Sequence, residues 1–307
     1  MRKAKNAVAA LTAFAISAFT AAFPARADTP VDLELVLAVD VSGSMDTAEA
    51  ELQRNGYLNA LVDPRVVRVI QAGFRGAVAV SYIEWAAFGH NVIVADWAAI
   101  RDNETAQAFA AGIADKPVSR GMYTSISGII EYALPTFDGN GFDGLRRVID
   151  ISGDGANNAG NLVPAARDLA VAAGITVNGL PIVNDRINPF GRPQIPNLDL
   201  YYRECVIGGR GAFIVVAQGF DAFAEAIRRK LIFEIAGRAP VGGVRVVSAP
   251  HPPAAPALFR EAGLRLAGSR PGDPVLAAFL RAADRQAPPC DIGERMREQR
   301  RMMWDDQ

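Results

Sequence analysis

Strand-length apolar runs alternate with helix-length segments along most of this chain, and that alternation restricts the fold more than any other feature. Leu33 to Val39 is β-rich and ends at Asp40, while the segment from Asp46 has helical composition. Ala77 to Trp85 reads as a second strand, and after the turn Gly89-His90-Asn91, Val92 to Trp97 reads as its antiparallel neighbour. Helical segments are expected at about 103–114 and 125–134. A strand at 147–152 follows, then a helix at 162–173 with Pro164 near its start and Gly174 past its end, then a strand at 175–183. The last pair is a strand at 212–217 and a helix from Asp221 that spaces Phe223, Ile227 and Leu231 four apart. Strands separated by helices require right-handed crossovers, which predicts an α/β fold over residues 28–238. Its sheet is doubly wound and mainly parallel, with helices on both faces and one antiparallel edge strand. Half of the 307 residues are apolar, enough to bury a core of that size.

The two ends read differently. Arg2, Lys3 and Lys5 precede an uncharged run from Ala7 to Phe23 and the small-residue pattern Ala25-Arg26-Ala27, the layout of a secretory signal peptide over residues 1–27. The expected mature chain starts at Asp28, is soluble with no stable membrane span, and resides in the periplasm or outside the cell. Its net charge would be near -5, since residues 1–27 hold four of the 32 Lys and Arg residues and none of the 33 Asp and Glu. No basic patch with interleaved aromatics occurs, so nucleic acid is not an expected partner. From Ala239 the composition shifts to Pro, Ala and Gly, which predicts a linker or strap and a C-terminal extension over 239–307. In it a helix is expected at 274–284, and the Arg-rich stretch Glu294 to Arg301 is expected to form a solvated helix that docks through Met302, Met303 and Trp304. Two cysteines, Cys205 and Cys290, are able to pair in an oxidising compartment, although sequence leaves open whether they approach. With two histidines at no metal-site spacing, thiolate or imidazole zinc chemistry is not expected.

Ligands of an open parallel sheet sit beyond the carboxyl ends of its strands, and the chemistry-bearing residues fall there. The first strand ends in Asp40-Val41-Ser42-Gly43-Ser44, and the strand at 147–152 ends in Ser152-Gly153-Asp154-Gly155. Gly121-Met122-Tyr123-Thr124 brings a hydroxyl to the start of the helix at 125. Oxygen donors from three loops, two of them charged, suit a hard divalent cation: Mg²⁺ first, with Mn²⁺ or Ca²⁺ as alternatives. The same residues also suit helix capping, which Ser, Thr and Asp do well.

The Asp-x-Ser-x-Ser element resembles the metal-ion-dependent adhesion site of von Willebrand factor A domains. Val148 to Asn158 looks like that family's strand ending in Asp-Gly. Asn178 to Ile182, Tyr201-Tyr202-Arg203 and Val206 to Gly209 resemble an uncharacterised exported bacterial subfamily of A-domain proteins. The resemblance covers about residues 31–237 and implies a Rossmann-like sheet with direct ligation by Ser42 and Ser44. It further implies a direct or near-direct bond from Thr124, with Asp40 and Asp154 acting directly or through water. Met122-Tyr123 stands where the family has small residues, so Thr124 and its neighbour Ser125 both remain open.

The function this implies is binding without catalysis, in which a protein or peptide partner supplies a carboxylate to the cation, as in adhesion. A Mg²⁺-dependent hydrolase or phosphotransferase is the alternative, and a structural assembly subunit with a vestigial metal site is the third. An aspartyl phosphatase wants a second carboxylate two residues after the first, where this chain has Ser42. Neither a Gly-x-Ser-x-Gly elbow nor a P-loop occurs. The segment Asn184 to Leu200, stiffened by Pro189, Pro193 and Pro196, should leave its strand on the metal side and carry specificity.

Overall fold

The computed structural model describes residues 27–248 and 285–305. The expected signal segment and the expected helix at 274–284 lie outside the described residues. A short strand β1 (Thr29–Val31) opens the fold, followed by β2 (Leu33–Asp40), α1 (Thr47–Leu61), α2 (Pro64–Gln71), β3 (Val78–Trp85), β4 (Asn91–Ile100) and α3 (Asn103–Ala114). Next come α4 (Ile126–Ala133), β5 (Phe142–Gly144), β6 (Arg147–Gly153), α5 (Val163–Ala172) and β7 (Thr176–Val183). The chain continues through α6 (Leu198–Tyr201), which runs into a π-type turn, then β8 (Ile214–Gln218), α7 (Phe223–Ile235), β9 (Val244–Ser248) and α8 (Ile292–Asp305).

Seven strands form one sheet in the order β4-β3-β2-β6-β7-β8-β9, all parallel except β4, which runs antiparallel to β3. β2 is buried along its whole length because both of its faces are covered, which is why it reads as a continuous apolar run. Leu33, Leu35, Leu37 and Val39 pack with Tyr57, Val66, Phe109 and Phe223 of α1, α2, α3 and α7. Val36 and Ala38 point the other way, into a core shared with Ile126 and Ile129 of α4 and Ala166 of α5.

From β2 the chain first adds strands on one side (β3, β4) and later on the other (β6 onward). The order therefore reverses between β2 and β6, and their carboxyl ends flank the crevice. Asp40 is the last residue of β2, and Asp154 follows the last residue of β6.

The sheet extends past the expected boundary at 238. Val244–Ser248, read in sequence as part of a linker, pairs in parallel with β8 and forms the second edge. Proline and glycine around it masked a five-residue run with three valines. A buried polar cluster joins α7 to the sheet: Lys230 Nζ lies 3.0 Å from both Glu234 carboxylate oxygens and 2.7 Å from Asp150 Oδ1. The Asp150 contact has the distance of an ion pair without the angle of a hydrogen bond. Asn178 donates to Glu234 at 2.6 Å, and burial first, then the Glu234 charge, pushes Asp150 up to about 8.

Cys205 and Cys290 form a disulfide with Cα atoms 5.5 Å apart, closing a sequence separation of 85. Arg285 ion-pairs with Asp199, and Asn197 donates to the Gln286 carbonyl at 3.0 Å, so the segment leading to α8 lies against the domain. Of the residues expected to dock this helix, Met302 and Met303 are exposed, and the Trp304 side chain lies outside the described residues. The helix seats at its start. A Cβ on Gly293 would lie 1.8 Å from the Asn157 carbonyl oxygen, so only glycine permits this approach.

Candidate metal centre

Capping is not what Asp40, Ser42, Ser44 and Thr124 do. Asp46 caps α1, accepting from Glu49 N at 2.8 Å while the Glu49 carboxylate accepts from Asp46 N at 2.8 Å, a reciprocal capping box. Ser125 caps α4, accepting from Gly128 N at 3.3 Å while its hydroxyl donates to the Ala159 carbonyl at 2.9 Å. With both N-caps supplied by neighbours, the loop hydroxyls are left for one another. Thr124 Oγ1 donates to Ser42 Oγ at 3.2 Å, Ser42 Oγ lies 2.9 Å from Ser44 Oγ, and Ser44 Oγ donates to Asp154 Oδ1 at 2.6 Å. Between the two residues left open in sequence, Thr124 joins this cluster and Ser125 turns away. Asp40 Oδ1 accepts from Ser42 N at 2.7 Å, and its Oδ2 is buried with no hydrogen-bond partner. Gly153 keeps that side clear, since a Cβ there would lie 2.8 Å from Asp40 Oδ2.

Burial and the facing Asp154 charge push Asp40 up to about 8, and burial pushes Asp154 up to about 6 against the pull of the Ser44 hydroxyl. Two carboxylates held this way want either protons or a cation. Among the described residues no three His, Cys, Asp or Glu side chains cluster. The donor set here is two carboxylates and three hydroxyls, all hard oxygen. It fits a hard divalent cation, and the orphaned Asp40 oxygen is where the fit is most specific.

The loops around the cluster hold one another. Asn158 Oδ1 accepts from Thr124 N at 3.0 Å, and Asn158 N donates to the Thr124 carbonyl at 2.8 Å, which fixes the threonine against the β6 loop. Gln194 Nε2 donates to the carbonyls of Asp154 and Ile182, both at 2.7 Å, and fastens the long segment after β7 to the metal side. Phe190 from that segment packs on Gly43, where a Cβ would come within 2.9 Å of its ring. A cleft of about 1030 Å³ opens here. Ser44, Thr124 and Asp154 lie on its floor, residues 184–195 make one wall, and Gly293 to Arg301 of α8 make another.

Sequence reasoning missed α8 as part of this cleft. Glu294 accepts from Asn157 Nδ2 at 2.6 Å, Arg297 donates to the Asn158 carbonyl at 3.0 Å, and its guanidinium stacks 4.5 Å from the Tyr123 ring centroid. The available signal was Cys290 followed three residues later by a glycine inside an otherwise helix-forming run.

A family model described as "Protein of unknown function (DUF1194)" matches residues 30–239. No curated protein sequence matches the chain. Among solved structures, proximal thread matrix protein 1 from the mussel byssus, with a zinc occupied MIDAS motif, is similar at a TM-score of 0.50 and 15% identity. That alignment covers 68% of this chain and 49% of that one, so this chain spans about half the length of the byssus protein. A von Willebrand factor type A structure from Catenulispora acidiphila aligns at a TM-score of 0.47 and 13% identity, over 67% of this chain and 43% of its own. BatB from Bacteroides thetaiotaomicron aligns at 0.45 and 20% identity, over 67% and 99%. The fold shared with the byssus structure is a doubly wound, mainly parallel α/β sheet.

Proposed function

From the premise that this chain belongs to the DUF1194 family of proteins of unknown function, we propose that it is a von Willebrand factor A-type domain that serves as an exported, divalent-cation-dependent binding module. Asp40, Ser42, Ser44, Thr124 and Asp154 would hold the ion, with Mg²⁺ favoured by the all-oxygen donor set and Mn²⁺ or Ca²⁺ as alternatives. A bound cation of this kind supplies a coordination position that a partner's carboxylate fills. The observation that carries the reading is the chain of three hydroxyls and Asp154 linked at 2.6 to 3.2 Å beside a buried, unpartnered Asp40 oxygen. The zinc in the byssus protein is a precedent for the class of ion and not for its identity.

Binding is favoured over a buried structural site because the cleft reaches Ser44, Thr124 and Asp154 directly. It is favoured over hydrolysis because the neighbouring carboxylates are engaged. Asp46 caps α1, Glu49 pairs with Arg186 at 2.6 Å, and Glu294 takes the Asn157 amide. Export to the periplasm or beyond is supported by the Cys205–Cys290 disulfide, a bond that persists in oxidising compartments. Among the described residues no helix is long and apolar enough to cross a membrane.

Calorimetric titration with Mn²⁺ and Mg²⁺ tests the site. The native chain should bind and Asp40→Ala should lose at least about tenfold in affinity, the order expected for removing a charged ligand. Equal affinity in the two proteins would remove the assignment.

A further inference from the structure

Across the cleft from Asp154, α8 places Gly293, Arg297, Arg300 and Arg301 at spacings of three and four, so they share one helix face. Arg192 reaches the same space from the segment after β7. Arg186 is already neutralised by Glu49 and Asp46, at 2.6 and 3.7 Å. Among the described residues, Arg192, Arg297, Arg300 and Arg301 form no ion pair, although Arg297 is oriented by Tyr123 and the Asn158 carbonyl. Burial first, then the charges of Arg192 and Arg297, hold the Arg300 guanidinium below the usual arginine range. These cations therefore repel one another at the mouth of a site whose floor is built for a cation. An anion placed between them would relieve both.

Guanidinium forks match the planar carboxylate bidentately. The cleft rim also exposes Met122, Ile187 and Phe190, large apolar side chains of the kind that mark protein-binding surfaces and that an inorganic anion would leave unused. The wall is held in advance of any ligand by the disulfide, by Gly293 against the Asn157 carbonyl and by Glu294 on the Asn157 amide, which lowers the ordering cost of binding.

We propose that the cleft takes an acidic peptide segment at two points: one carboxylate completes the shell of the cation, and a second sits on the Arg192–Arg297–Arg300 cluster. The cation half of this contact rests on the metal-site reading above. The arginine half does not.

Fluorescence anisotropy with fluorescein-labelled hexaglutamate tests it on the full chain, in MgCl₂ and in EDTA, with hexaglutamine as the uncharged control. Mn²⁺ affinity is measured in parallel by calorimetry. Hexaglutamate should bind in MgCl₂ and hexaglutamine should not. Arg297→Gln/Arg300→Gln should weaken hexaglutamate at least about tenfold through the loss of two charge-assisted contacts, with Mn²⁺ affinity not reduced. Equal hexaglutamate affinity in the native and double-variant proteins would overturn the arginine contact. So would absence of hexaglutamate binding by a chain that binds Mn²⁺. Binding that falls in the double variant yet is undiminished by EDTA would overturn the two-point contact. Failure to bind Mn²⁺ at all would instead strike the metal reading, which the calorimetry reports by itself. Heparin displacing hexaglutamate at far lower concentration, with or without MgCl₂, would overturn the peptide assignment in favour of a polyanionic glycan.

Discussion

Replacing Gly293 by alanine puts a methyl carbon where the structure leaves 1.8 Å to the Asn157 carbonyl oxygen and 2.7 Å to its carbon. An ordinary contact needs about 3.4 Å, so the start of α8 or the β6 loop has to retreat by roughly 1.6 Å. The β6 loop is bonded to Thr124 and carries Asp154, so the helix is the part that yields. A retreat of that size takes the 2.6 Å Glu294–Asn157 bond and the 3.0 Å Arg297–Asn158 bond beyond hydrogen-bonding reach. Two partly solvated bonds to charged groups are together worth about 2 kcal/mol after discounting for exposure, and alanine's better helix propensity returns none of this, because it favours the helix whether docked or not. A loss of about 2 kcal/mol raises the undocked population roughly thirtyfold.

Limited trypsinolysis reads that population, since Arg295, Arg297, Arg300 and Arg301 are all cleavage sites in α8. Nicking of α8 should accelerate by one to two orders of magnitude in Gly293→Ala while the global melting temperature moves little. Identical nicking rates in the two proteins would refute the claim that the helix is seated by this approach.

Lys230→Met should destabilise the domain by about 3 to 5 kcal/mol in urea unfolding, because Asp150 and Glu234 lose their shared cation. Adding Glu234→Leu to it should recover part of that loss. Breaking the Cys205–Cys290 link by the double serine substitution should lower stability by up to about 4 to 5 kcal/mol for a loop of this length, read as a fall in melting temperature. The stabilisation given by MgCl₂ should grow with pH. Asp40 and Asp154 are raised to about 8 and about 6 in the cation-free fold, so their favourable contribution is full below about pH 4 and is lost as pH rises through those values. Protons and cation compete for the same oxygens, and the melting-temperature increment from MgCl₂ should therefore be larger at pH 8 than at pH 5. A larger increment at pH 5 would contradict ligation by these carboxylates.

The alternating pattern carried most of the fold into view, because strands covered on both faces have to be continuously apolar, as Leu33–Asp40 is. The same logic located the site: Asp40 and Asp154 stand at the ends of β2 and β6, where the sheet order reverses. Sequence could not separate ligation from capping, since Ser and Asp do both. In the structure Asp46 and Ser125 occupy the caps, which frees Ser42, Ser44 and Thr124 from that role and supports the proposed ligation. Edge strand β9 was hidden because proline and glycine around it outweigh five residues of β character. The role of α8 was hidden because docking through a glycine leaves no apolar stripe to read, and the charged face that lines the cleft looks like any solvated face.

The disulfide also sets an effective concentration. Without it, the segment leading to α8 is tied to the domain at Gln286, seven residues before Gly293. With it, the path to Gly293 is the three residues from Cys290. If local concentration falls as the three-halves power of tether length, oxidation raises that of α8 over the cleft roughly three- to fourfold without adding a contact. The thiol state of Cys205 and Cys290 would thus bias how fully α8 is assembled over the cleft.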